Sequence, residues 1–173
     1  MVSFREASVD DPDAHALIAE YFGMRADTFP TGDYAPVFPQ AANFTPPAGV
    51  FLVVVEDGED VGCGGIKKLP VPEPTSVTEP TSVTEPTSVT EPVEVRYEIK
   101  HLWIQPRVQG RGFGRALLTE LERRARDFGA TEVVLDTNAS LVAAGNMYRT
   151  GGYDEIEPYN DNPNATNWFR KVL

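Results

Sequence analysis

The chain has one cysteine, Cys63, and two histidines, His15 and His101, among 173 residues. A lone cysteine excludes an intramolecular disulfide and a cysteine-only zinc site. Two histidines leave no His-rich metal site, so no metal is expected. No apolar run reaches the roughly 18 residues needed to cross a bilayer, so no membrane partner is expected. The start, Met1-Val2-Ser3-Phe4-Arg5-Glu6, lacks a basic stretch followed by an apolar one. No signal peptide is expected, and the expected location is the cytoplasm. Bases are also scarce: 15 Lys and Arg stand against 26 Asp and Glu, a net charge of −11. Nucleic acid binding needs a basic face, so it is not an expected partner.

What is present suits one globular domain over residues 1–173, 41% hydrophobic and long enough to bury a core. The charge is uneven. Residues 1–66 hold eleven acids against Arg5 and Arg25. Residues 96–126 hold eight bases against Glu98, Glu120 and Glu122. A basic island in an acidic chain points to a small polyanionic ligand or to a solvated helix face. The acidic N-terminal third suggests in turn a second side that receives a cation.

Residues 75–92 are three copies of Thr-Ser-Val-Thr-Glu-Pro, preceded by Val71-Pro72-Glu73-Pro74. Proline every six residues interrupts a helix and denies donors to a sheet. With valine as its sole apolar residue type, the tract cannot offset its ordering entropy. Residues 71–92 are therefore expected to be a disordered, partly polyproline-II loop, either a docking spacer or a tolerated expansion between the third and fourth strands.

Around the tract, Val2–Ala7 reads as a strand. Asp10 or Asp11 can cap a helix with Pro12 in its first turn and Ala14, Leu17, Ile18, Tyr21 and Phe22 on its apolar face. Residues 27–49 look irregular. Val50–Glu56 and Val61–Leu69 read as a hairpin about Asp57-Gly58. Val93–Ile104, Thr131–Asp136, Tyr153–Ile156 and Asn167–Val172 read as strands, Gly110–Phe128 and Leu141–Thr150 as helices. This order predicts an α/β fold: one mixed, mostly antiparallel sheet of about seven strands, flanked by helices.

The most informative stretch is Gln105-Pro106-Arg107-Val108-Gln109-Gly110-Arg111-Gly112-Phe113-Gly114-Arg115. A strand ends, three glycines follow at spacing two, and an amphipathic helix begins at once. Helix starts present unpaired N–H groups and a positive dipole end, and glycine lets an anion approach the backbone. The dinucleotide pattern G-x-G-x-x-G fails at Arg115, and no P-loop Gly-Lys-Ser/Thr follows. A pyrophosphate-binding helix start and a tight glycine turn both fit.

Gln109-x-x-Gly112-x-Gly114, after a strand ending Leu102-Trp103-Ile104-Gln105-Pro106, resembles the acyl-CoA-binding motif of GNAT superfamily N-acetyltransferases. Val61-Gly62-Cys63-Gly64-Gly65 looks like the family's third strand, and Asn146–Tyr153 like its second motif. The resemblance spans the chain outside the tract. It implies acetyl-CoA as co-substrate in a V-shaped opening between the fourth and fifth strands. The coenzyme contacts it implies are main chain from Gln109 through Gly110, Arg111, Gly112, Phe113 and Gly114 to Arg115 at the pyrophosphate. Trp103 and Ile104 would lie along the pantetheine arm. A main-chain amide near Leu102 or Trp103 would meet the reacting carbonyl, and Asn138 and Asn146 would contact the coenzyme.

Acetyl transfer to an amine needs a base, since a free alkylamine is mostly protonated at neutral pH. Glu98 is the leading candidate by resemblance, on a side shared through strand alternation with Lys100, Leu102 and Ile104. The alternative is a same-face charge pair with Lys100. His101 is expected to face the other way. Tyr148 matches the family tyrosine that serves the coenzyme sulfur; the alternative is a packed core tyrosine. Tyr34, Phe38 and Phe44 wall an acceptor pocket or cover the core. Asn160 and Trp168 belong to Tyr159–Phe169, which resembles a C-terminal signature of some bacterial members, and either meet the acceptor or pack a turn.

The resulting expectation is an N-acetyltransferase acting by direct transfer in a ternary complex on a primary amine of a small molecule or amino acid. The protein would be a monomer or homodimer. A GNAT-fold acyl-CoA sensor or interaction module without turnover is the alternative.

Overall fold

The computed structural model describes residues 1–71 and 93–173. Seven strands form one sheet: β1 (Val2–Glu6), β2 (Gly49–Glu56), β3 (Glu59–Lys68), β4 (Arg96–Ile104), β5 (Glu132–Thr137), β6 (Asp154–Ile156) and β7 (Asn167–Val172). Three helices flank it: α1 (Pro12–Thr28), α2 (Phe113–Asp127) and α3 (Val142–Thr150). The spatial order is β1-β2-β3-β4-β5-β7-β6. Every pairing is antiparallel except β4 with β5, which is parallel.

Period-2 alternation sorts the side chains onto two faces. Val50, Leu52 and Val54 of β2 join Leu117, Leu118, Leu121 and Ala125 of α2 in one core. Phe51 and Val53 join Ala14, Leu17, Ile18 and Phe22 of α1 in the other. Both faces of β2 are covered, and its sequence is accordingly an unbroken apolar run. Small residues let the layers close. A Cβ at Gly65 would lie 2.7 Å from the Phe44 ring, and one at Gly62 would lie 2.5 Å from the Trp103 carbonyl oxygen.

Helix ends differ in part from expectation. Asp11 is the N-cap of α1 but makes no capping bond; its carboxylate accepts from the Ser8 N–H at 3.0 Å instead. α2 starts at Phe113 rather than Gly110, because Gly110 and Gly112 are left-handed, with φ 78° and 84°. The irregular segment after α1 contains a single 3₁₀ turn, Ala41–Phe44.

A larger departure lies inside β4. Cys63 pairs with Trp103 but Gly65 with Lys100, so β4 carries one extra residue in a β-bulge. His101 takes the left-handed conformation there, φ 56°. One extra residue inverts side-chain parity. Before the bulge Tyr97 and Ile99 face α2; after it Leu102 and Ile104 do, while Trp103 faces α1. The expectation that Glu98 and Lys100 share a side with Leu102 and Ile104 is thereby corrected, as is the opposite facing of His101. The His101 ring lies 5.6 Å from Phe22 and 6.1 Å from Phe44, on the α1 side.

The expected loop character of residues 71–92 lies, for 72–92, outside the described residues. Its flanks are closed: Lys68 is in register with Tyr97, and the Leu69 N–H donates to the Arg96 carbonyl at 2.9 Å. Removing residues 75–92 leaves enough chain to join that ladder end, and closure entropy changes slowly with loop length. The deletion variant is expected to stay within about 1 kcal/mol of the full chain in urea unfolding; a loss of several kcal/mol would make the tract part of the fold.

Candidate active site

Strands β4 and β5 are in register only over Arg96–Glu98 against Glu132–Val134, and then part. The gap opens into a cleft of about 1260 Å³. Its coenzyme side is built by the β4–α2 turn. The left-handed Gly110 and Gly112 curl the main chain, and no side-chain cap closes α2. The backbone N–H groups from Gly110 to Arg115 find no hydrogen-bond partner among the described residues, the first intrahelical bond being Ala116 N–H to Gly112. Six donors on one curl at a helix start form a ready anion site. Open space surrounds a Cβ at Gly110 or Gly112. The pyrophosphate of a coenzyme fits this cradle.

Leu102, Trp103, Ile104, Gln109, Gly110, Gly112, Phe113, Gly114, Arg115, Asn138 and Tyr148 all line the cleft. Arg111 does not. Its guanidinium turns to Glu56, 2.8 Å away, leaving only its main chain toward the cradle. Arg107 is likewise engaged, by Glu59 at 2.9 Å. Trp103 is corrected as a main-chain partner. Gln105 N–H donates to Val61, so the alternating antiparallel pattern turns Trp103 toward β3 and Ile104 toward the opening. The Gln109 amide donates to the Ile104 carbonyl at 2.8 Å, tying that edge to the glycine turn. Asn138 spends its side chain inside the fold, on Asn164 and Ser140, and Asn146 lies outside the cleft.

Tyr148 is 6% exposed, its ring 5.8 Å from both Tyr153 and Phe169. Burial pushes its phenol pKa up, with Tyr21 and Asp136 adding to the effect. Its hydroxyl has no partner among the described residues and remains a protonated donor at the cleft wall.

On the α1 side, Tyr34, Phe38 and Phe44 line the cleft, but Asn160 and Trp168 do not. They stand behind the wall: Trp168 Nε1 donates to Asn160 Oδ1 at 2.9 Å, and Asn160 Nδ2 donates to Asp136 at 2.7 Å. Glu98 also lies behind it. Its carboxylate is 2% exposed and meets Lys100 at 3.0 Å, Lys67 at 3.3 Å and the Tyr159 hydroxyl at 2.9 Å. A carboxylate so occupied cannot reach an amine in the cleft, which corrects its assignment as the direct base and favours the charge pair.

Asp136, at the end of β5, does line the cleft and holds Lys100 through both oxygens, at 3.0 and 3.1 Å. Burial raises its pKa, but Lys100 and the amides of Asn160 and Asn162 outweigh that and hold it below the usual carboxylate range. Asp136 is the only acid on the cleft wall among the described residues, against Arg25, Lys67, Lys100 and Arg115. The acids of residues 1–66 all lie elsewhere, which corrects the expectation of an acidic acceptor side. Asp136 and Arg25 were missed in the sequence, although both left a signal. Asp136 closes an apolar strand run, and Arg25 falls on the helical stripe of Ala14, Leu17, Ile18 and Phe22.

Comparison with known proteins bears on this geometry. The model of the acetyltransferase (GNAT) family matches residues 12–153. An N-acetyltransferase of Schizosaccharomyces pombe, described as uncharacterised, is 33% identical over 66 residues, covering 38% of this chain and 40% of that one. The chain thus spans less than half the length of the curated relative. Two crystal structures share the fold. A GNAT-family acetyltransferase of Staphylococcus aureus superposes with TM-score 0.72 at 13% identity, covering 100% and 99% of the two chains. One from Elizabethkingia anophelis with acetyl-CoA bound superposes with TM-score 0.61 at 14% identity, covering 99% and 98%.

His101 gives the site a pH signature. Burial, then Lys100 and Lys67, lower its pKa to about 4, from about 6.5 in an unfolded chain. Between these values the unfolded state binds the extra proton, so stability is full above about pH 6.5 and falls toward pH 4, by up to about 1.4 kcal/mol per unit. His101→Asn tolerates the left-handed backbone and does not titrate. Its unfolding free energy is expected to fall less than the parent's across that window, and parallel curves would contradict the assignment.

Proposed function

The chain belongs to the acetyltransferase (GNAT) family, and from that premise we propose that it transfers the acetyl group of acetyl-CoA directly to a primary amine bound in the same cleft. The observation that carries this reading is the curl of six unpaired N–H groups at the start of α2, facing the gap between β4 and β5 with Tyr148 on its wall.

When bound, acetyl-CoA supplies the thioester carbonyl that the amine nitrogen attacks. The chain's own residues do the rest. Main-chain donors from Gly110 to Arg115 hold the pyrophosphate, and Ile104 aligns the pantetheine arm along the free edge of β4. The Leu102 amide is the donor placed to stabilise charge on the carbonyl oxygen. Asp136, kept ionised by Lys100, orders the water through which the ammonium proton leaves the cleft; Glu98 fixes Lys100 from behind. Glu98 is thus a positioning residue. The Tyr148 hydroxyl, kept protonated by its apolar shell, donates to the departing sulfur.

Gly112→Glu puts a carboxylate in the phosphate cradle and is expected to weaken acetyl-CoA binding by at least 100-fold in calorimetry; unchanged affinity would refute the cradle. Tyr148→Phe is expected to lower kcat by about 10- to 100-fold with little change in coenzyme affinity. Asp136→Asn is expected to lower kcat by a similar factor. A kcat unaltered in both would remove these two roles.

A further inference from the structure

Arg25 is the one described residue with a buried side-chain polar atom that has no hydrogen-bond partner: its Nη1 is fully covered and bonded to nothing. The residue is 3% exposed and lines the cleft from α1. Its guanidinium lies 5.4 Å from the Phe29 ring and 5.3 Å from the Tyr34 ring. No described carboxylate forms an ion pair with it, although a guanidinium stays charged when buried. Aromatic faces offset part of the desolvation cost, but native proteins seldom leave such a charge without an anion.

The two lysines on the cleft wall are already matched. Lys67 meets Glu98 at 3.3 Å, and Lys100 meets both Glu98 and Asp136 at 3.0 Å. Arg115 donates to Thr150 at 2.7 Å, at the coenzyme end. One positive charge, that of Arg25, is therefore left over on the acceptor side.

We propose that Arg25 binds the carboxylate of the acceptor, so that the acceptor is an amino acid or a comparable amino-carboxylate. This deepens the acetyltransferase reading and rests on it for the identity of the reacting amine. A single planar monoanion matches one guanidinium whose Nη1 is free; a phosphate dianion would leave a charge uncompensated. Tyr34, whose phenol pKa burial and Tyr21 push up to about 12, stays a neutral wall over the guanidinium.

The test is calorimetric binding to the coenzyme A-saturated protein of each common amino acid, its carboxamide and the amine lacking the carboxyl group. Acetyl-CoA turnover is measured on the same panel. At least one amino acid is expected to bind ten-fold or more tighter than its carboxamide. Arg25→Gln should erase that preference and Arg25→Lys should keep part of it, with acetyl-CoA affinity unchanged in both. Because Gln removes an unpaired buried charge, its melting temperature is expected to equal or exceed the parent's. No binding by any amino acid, equal binding of carboxamides, or a loss in Arg25→Gln that is uniform across the panel would overturn the proposal. Arg25-dependent binding without turnover would keep the carboxylate site and remove the enzyme reading; turnover without carboxylate preference would do the reverse.

Discussion

Strands β4 and β5 hold register for three pairs and then part, and the cleft depends on that parting. A parallel pair offers no tight hairpin to keep its ends together, so its open end leaves main-chain donors and acceptors unpaired. Buried groups of that kind need partners. Here the Gln109 side chain takes one carbonyl, of Ile104, and the adjoining helix start presents six free N–H groups. The fold thus holds an extended, amide-rich, anionic ligand by replacing the missing strand. This constraint also explains why the glycines are where they are: Gly110 and Gly112 must be left-handed to turn their donors inward.

The bulge at His101 sets the chemistry beside that opening. Without the extra residue, Glu98 and Lys100 would share a face with Leu102 and Ile104, among the apolar side chains under α2. With it, they stand on the α1 face, where Lys100 reaches Asp136 and Glu98 supports Lys100 from below the surface. The two faces of the sheet then divide the work. The α2–α3 face holds Tyr148 and the coenzyme cradle, while the α1 face holds Asp136, Arg25 and the aromatic wall. The parted strands are where the faces communicate.

Much of this was legible in the sequence. All seven strands and three helices follow from periodicity and turn residues, and the glycine turn from the physics of helix starts. The C-terminal strand order is less local. β7 lies between β5 and β6, with Phe169 in register with Leu135 and sharing a core with it, and nothing local to Asn167–Val172 marks that neighbour. The bulge left no mark, because one inserted residue changes neither composition nor hydropathy yet inverts every side chain beyond it. Strict alternation accordingly puts Glu98 on the wrong face. Net charge misleads for a related reason: Glu59, Glu56 and Glu6 pair with Arg107, Arg111 and Arg124 on the surface, none of the acids of residues 1–66 lines the cleft, and the cleft is cationic. Arg25 is readable in the sequence only as an oddity, a charged residue on an apolar helical stripe, whose meaning requires the absence of a carboxylate partner among the described residues.

The most direct measurement is a crystal structure of the protein with coenzyme A. The account predicts the pyrophosphate on the N–H groups of Gly110 to Arg115, the pantetheine arm along Ile104 between β4 and β5, and the sulfur within hydrogen-bonding distance of the Tyr148 hydroxyl. A coenzyme bound elsewhere, or one whose sulfur lies away from Tyr148, would contradict it.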